Sequence, residues 1–121
     1  MSRDHRLIDY LRHIADSSQK IESYLDAMEQ DDFLKGERTQ QAVVFNLIVI
    51  GEAASKLLQT HAAFLDRHPN VPWSGMKGMR NRIAHGYFEI DLDIVWETER
   101  KAIPELLSRL PDIIAAAEAE R

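Results

Sequence analysis

The chain has no cysteine, so neither a disulfide framework nor a thiolate metal site is open to it. No apolar run reaches the roughly 18 residues of a membrane span, and the charged N-terminus has no signal-peptide h-region. Together these absences predict a soluble, cytoplasmic protein with no membrane partner. Basic charge is also short, with 15 Lys plus Arg against 20 Asp plus Glu and a net charge of −5. Binding to nucleic acid over the whole surface is thereby disfavoured, because phosphate neutralisation supplies most of that affinity; a small basic site on an acidic body is not. There is no Ser/His/Asp ordering, P-loop, dinucleotide fingerprint or His-Glu metal motif. His5, His13, His61 and His68 lack metal-ligand spacing and read as surface groups. Neither a metal nor a cofactor is predicted.

What is present is helical. At 121 residues the chain suits one domain with one core, so residues 1–121 are expected to form a single helical domain. Leu7, Leu11, Ile14, Ser18, Ile21, Leu25 and Met28 recur in steps of three and four, the seam of an amphipathic helix over about residues 3–29. Asp31-Asp32 interrupts it, leaving Phe33 and Leu34 for a short turn before Gly36.

A second helix is predicted from Glu37 to about Gln59, apolar almost all the way round through AVVFNLIVIGEAASKLL. Such a helix must be covered on most sides, which a small domain does with difficulty, so part of this face is assigned to a homodimer interface. Gly51, Ala53 and Ala54 are small enough for close helix approach. Asn46 and Glu52 are polar insertions in the run, and a buried carboxylate needs a partner. Glu52 either pairs with Lys56 one turn on or orients Arg80 or His85.

After a short helix near His61–His68, Pro69 and Pro72 forbid continuation. Ser74 then caps a helix that ends at Gly86, a residue suited to a left-handed C-cap. The last segment opens at Asp91 or Asp93 and keeps an apolar face from Leu92 to Ile114, with Pro104 and Pro111 expected to kink or split it. No repeat, low-complexity segment or strand stands out. The fold class is all-α, an up-and-down helical bundle.

The chain concentrates its chemistry in MRNRIAHGYFEID, Met79 to Asp91. Between Met76 and Phe88 the charged side chains are Lys77, Arg80 and Arg82, all basic. Asn81 and His85 share a helix face, one turn apart, so the amide can fix the imidazole tautomer. Arg80 is rotated from His85 by roughly 140°, which brings the two together across facing helices more readily than within one. The bland alternative is that Arg80, Arg82 and His85 merely complement the helix dipole and cap free carbonyls; the residues alone admit both.

The chemistry they can support is metal-independent acid–base catalysis beside a phosphate clamp. His exchanges a proton near neutral pH, and Arg binds phosphoryl oxygens with its fork. That fits RNA cleavage by the 2′-OH to a 2′,3′-cyclic phosphate, for which a symmetric dimer supplies two histidines. Lys77 and Arg82 are the candidate RNA-binding cations.

Arg80, four residues, His85, one residue, Tyr87 resembles the Arg-x4-His-x-Tyr signature of the HepT-like toxins in the HEPN superfamily. Ile50-Gly51-Glu52-Ala53, Val71-Pro72-Trp73, Gly78-Met79-Arg80-Asn81, Ile90-Asp91 and Val95-Trp96 extend the resemblance over nearly the whole chain. It implies a HEPN-like bundle that dimerises around a cleft lined by both motifs. It also implies a metal-independent ribonuclease toxin of a type VII-like toxin–antitoxin pair, with Arg80 and His85 catalytic and Asn81 supporting; Glu52, as an orienting group, is the supporting residue read from the apolar run. The implied antitoxin is an MntA-like minimal nucleotidyltransferase that adenylylates Tyr87, adding bulk and negative charge at the groove. The residues of Tyr87 alone read as a packed aromatic after a turn. The alternative function is a non-catalytic HEPN partner, or a substrate-presenting subunit of the nucleotidyltransferase.

Overall fold

The computed structural model describes residues 3–120; the side chains of Arg3, Asp4, His5 and Tyr87 lie outside the described residues. Six helices follow in order: α1 (Arg3–Leu25), α2 (Gln30–Lys35), α3 (Glu37–Thr60), α4 (Ala62–Asp66), α5 (Trp73–His85) and α6 (Leu92–Ala119), with a 3-10 turn at Tyr87–Glu89. The described residues contain no strand, as the all-α reading requires.

The seam of α1 is the inner wall of the core. Leu7, Leu11, Ile14, Ser18, Ile21 and Leu25 are all buried, against α3 on one side and α6 on the other. Near the far end, Arg12 pairs with Glu118 at 3.2 Å, early α1 beside late α6. Met28 falls outside α1, which stops at Leu25; Ala27, at φ 60, turns the chain in the left-handed region. The expected turn at Phe33 is a short helix instead. Glu29 and Asp32 form a reciprocal capping box that satisfies two of the free amides at its start. Phe33 is thereby buried against Trp96, with ring centroids 5.5 Å apart.

α3 is apolar and long enough to span a membrane by composition, yet it is the central core helix of the bundle. Val43, Val44, Leu47, Ile50, Ala53, Ala54 and Leu57 are buried, and Asn46 donates to the Ala42 carbonyl at 2.8 Å. α1 and α5 cover most of its circumference, so much of what the sequence assigned to a second chain is covered by this one. The remainder is an outward stripe where Phe45 is 64 % exposed and Ile48 and Val49 are half-buried.

Two proline expectations come out differently. α6 is one helix through Pro104 and Pro111. Each proline removes an amide that would bond four residues back, freeing the carbonyls of Arg100 and Leu107. Both prolines lie on the exposed face, where water can solvate those carbonyls. α5 starts at Trp73 rather than after a Ser74 cap. Its first turn is closed by the Met76 amide on the Pro72 carbonyl at 2.9 Å, and the Trp73 indole donates to the His68 carbonyl at 3.1 Å. That bond, with Val71 and Trp73 buried, fixes where α5 leaves the loop and hence where the motif sits.

Candidate active site

α5 lies along α3 with Trp73 and Ile83 buried. At about 100° per residue, Arg80 falls on the edge facing α3. Lys77, Asn81 and His85 form an i, i+4, i+8 row beside it, and Arg82 points further out. The structure agrees: Lys77, Arg80 and Asn81 are half-buried, while Arg82 and His85 are exposed.

Arg80 is the most tightly specified of these side chains. Its Nη1 donates to Glu52 Oε1 at 2.8 Å and its Nη2 to Ser55 Oγ at 3.4 Å. Its stem crosses α3 at Gly51, where a Cβ would fall 2.2 Å from Arg80 Cβ and 2.8 Å from the Met76 carbonyl oxygen. Only a residue without a side chain permits this approach, so the small residue at 51 serves packing within the chain. Ala53 and Ala54 are buried likewise. Gly51, Glu52 and Ser55 therefore hold the guanidinium from one face of α3.

Glu52 is not the buried carboxylate the apolar run suggested: its side chain is 51 % exposed, against 23 % for Arg80. Of the three partners weighed for it, Lys56, Arg80 and His85, the structure selects Arg80. A pair this exposed is worth about 0.2–1 kcal/mol, so its consequence is orientation more than stability.

Gly86 differs from expectation, since its φ is −135° and no left-handed cap forms; its amide donates to the Arg82 carbonyl at 3.0 Å. Among the described residues no hydrogen bond links Asn81 to His85, although the two share the exposed row. Nor does Arg80 cap α5; its guanidinium reaches sideways to α3. The helix-cap explanation therefore covers Arg82 and His85, in the last turn, and not Arg80. The backbone of Tyr87 opens the 3-10 turn; its side chain lies outside the described residues. Phe88 and Ser55 had no role in the sequence reading. Ser55 left a usable signal, a small polar residue one turn from Gly51 on the same face.

Among the described residues, the site side chains range from half-buried Lys77, Arg80 and Asn81 to exposed Arg82 and His85. A cavity of about 410 Å³ lies on the other side of α5, walled by Met76, Met79, Ile103 and Leu106 over Leu47 and Ile50, and neither Arg80 nor His85 lines it. Among the described residues no group of His, Cys, Asp or Glu side chains is placed to hold a metal ion. His13 packs beside Tyr10 and His68 against Phe64, while His61 Nδ1 lies 2.8 Å from Thr60 Oγ1. What the arrangement can do is bind an anion on a fixed guanidinium and exchange a proton at an exposed imidazole nearby.

Comparison with known proteins gives the family. A protein of Thermococcus cleftensis named "Probable ribonuclease HepT" is 37 % identical over 106 residues, covering 88 % of this chain and 92 % of its own. Relatives from Methanocaldococcus jannaschii and Caldanaerobacter subterraneus, each carrying a provisional RNase designation, are each 34 % identical. They cover 92 % and 87 % of this chain and 89 % and 91 % of their own. No solved structure matches. The family model described as "Ribonuclease HepT-like" matches residues 14–113, the motif helix included, and the chain belongs to the HepT-like ribonuclease family.

Proposed function

We propose that this protein is a metal-independent endoribonuclease that works as a homodimer in the cytoplasm. It is the toxin of a type VII-like toxin–antitoxin pair, held inactive when an MntA-like nucleotidyltransferase adenylylates Tyr87. The observation that carries the reading is the fixed Arg80 guanidinium, held by Glu52 and Ser55, on the same short helix as an exposed His85. One chain offers a single such imidazole, exposed and rotated well away from Arg80. A second copy facing it supplies the other imidazole and closes the cleft. The outward stripe of α3 supports that pairing, because Phe45 is exposed about two turns from Glu52 on the same face.

The reaction is a transesterification. His85 of one copy takes the 2′-OH proton as the 2′-oxygen attacks phosphorus, and the P–O5′ bond breaks. His85 of the second copy, protonated, gives its proton to the leaving 5′-oxygen. Arg80 stabilises the charge that builds on the non-bridging oxygens, while Lys77 and Arg82 hold flanking phosphates and Asn81, on the same row as His85, is a supporting polar group. The products are a 2′,3′-cyclic phosphate and a 5′-hydroxyl. AMP on Tyr87, two residues from His85, places negative charge where the RNA backbone has to enter.

The test is cleavage of end-labelled RNA by the purified protein in EDTA, with Arg80→Ala and His85→Ala alongside. We expect a cyclic-phosphate terminus from wild type and a loss of at least about 100-fold in each variant. Full activity in His85→Ala removes the central claim. Growth arrest on expression that is relieved by the nucleotidyltransferase and survives His85→Ala would favour the non-catalytic partner role.

A further inference from the structure

α5 lies along α3 but makes no comparable packing with α6. From the cavity left between them we infer a binding site for an uncharged, largely apolar small molecule, one or two rings in size, that braces the motif helix from behind. The cavity, about 410 Å³, is in the range of roughly 300–1,000 Å³ typical of small-molecule sites. Its floor is the core itself, where Leu47, Ile50, Ile103 and Leu106 are buried. Met76 and Met79 form the α5 wall and are half-buried; unbranched thioether side chains adjust to the shape of a guest. Pro69 and Pro72 add a wall from the loop. That loop is fixed, because the Val71 amide and the Trp73 indole both donate to the His68 carbonyl, at 3.3 and 3.1 Å.

Charge selects the guest. The lining holds one cation and one anion, Arg109 and Glu105, and these are paired with each other at 2.8 Å. No net charge is left to offset an ion brought in from water, and an unpaired ion in apolar surroundings is costly. Thr98 donates its hydroxyl proton to the Ile94 carbonyl at 2.8 Å, which leaves its oxygen to accept from a single hydroxyl on the guest.

Two larger occupants fit less well. Counted from Phe45 at about 100° per residue, Leu47 and Ile50 lie roughly 160° and 140° round α3. A second copy seated on the Phe45 stripe therefore leaves the cavity uncovered. The lining also presents far less surface than the roughly 800 Å² per partner that a stable protein interface buries. A guest here bears on the reactive segment without touching it. Met76 lines the cavity, and its carbonyl oxygen is part of the close α3–α5 approach at Gly51; Met79 directly precedes Arg80.

The experiment titrates the methyl-labelled full chain with 2-naphthol, 2-naphthoate and 2-naphthylmethylammonium, one ring system in three charge states, followed by NMR. 2-Naphthol should bind saturably, shift the methyl signals of Met76, Met79, Ile103 and Leu106, and bind at least about 10-fold tighter than either ion. At about ten times its Kd, amides of α5 that exchange through opening of that helix should exchange about 10-fold more slowly. Ala102, exposed at the α6 rim of the cavity, is the place to block it. Ala102→Trp should melt as wild type and weaken 2-naphthol at least about 10-fold, because the ring loses its buried apolar seat. Phe45→Glu should bind 2-naphthol as wild type does. Shifts that do not saturate or that map elsewhere overturn the inference, as does equal or tighter binding of either ion. So does undiminished binding by Ala102→Trp, or binding lost in Phe45→Glu, which would make the seat a property of two copies. The shift map and the charge series decide the matter even if Ala102→Trp melts early. Naphthol binding by a protein that cleaves no RNA would remove the ribonuclease reading alone.

Discussion

Replacing Gly51 by alanine puts a methyl group where α3 and α5 touch. The new Cβ falls 2.2 Å from Arg80 Cβ and ordinary contact begins at 3.4 Å, so the shortfall is 3.4 − 2.2 = 1.2 Å. Neither that Cβ nor the Met76 carbonyl oxygen, 2.8 Å away, can rotate aside, because both belong to the rigid part of α5. The helix itself has to shift by about 1 Å, carrying Arg80 with it. Overpacking of this kind costs about 1–3 kcal/mol, and alanine returns about 1 kcal/mol of helix propensity. The net destabilisation is therefore about 0–2 kcal/mol, a fall in Tm of no more than roughly 10 °C. Activity should suffer more, since a 1 Å misplacement of a catalytic group costs on the order of 100-fold. Single-turnover cleavage of labelled RNA, well below the melting transition, reads one quantity and a thermal melt the other. A variant with wild-type cleavage would refute the reasoning, because Arg80 would then not depend on the α3–α5 approach. A variant whose activity falls only in proportion to its unfolded fraction would show that Gly51 matters for stability alone.

Three further outcomes are expected. Burial lifts the Glu99 carboxyl above the ordinary carboxylate range, with Arg100 opposing and Glu22 on α1 adding to the rise. The folded chain thus keeps this proton to higher pH than the unfolded one, so its contribution is full below the unfolded value and is lost as pH rises through the raised one. Glu99→Gln should raise Tm at neutral pH and match wild type near pH 4 to within the error of the melt; a lower Tm at pH 7 would contradict this. Leu57 is fully buried on α3, and Leu57→Ala should cost about 2–5 kcal/mol in urea unfolding without altering m. Phe45→Glu should convert the proposed dimer to monomer in analytical ultracentrifugation and abolish cleavage while leaving the far-UV circular dichroism intact; an active monomer would sink the two-copy site.

Much of the framework was legible because it follows from period. The seam from Leu7 to Leu25 and the span of α3 from Glu37 are read from spacing, as is the motif row of Lys77, Asn81 and His85. The errors have a common cause. Whether Pro104 and Pro111 break α6 depends on which side of it meets water. Whether Gly86 needs a left-handed backbone depends on how the chain leaves α5, and the exposure of Glu52 depends on where α1 and α5 lie around α3. Each is a property of neighbours far away in the chain.

By itself, then, the sequence determined the helices, the core faces and the clustering of an arginine, a histidine and a tyrosine within eight residues, because side-chain periodicity and local composition are written along one dimension. Tertiary structure alone decided that Gly51 is the contact point of two helices and that Glu52 and Ser55 grip Arg80. Those facts arise from distances between segments that meet only when the bundle closes.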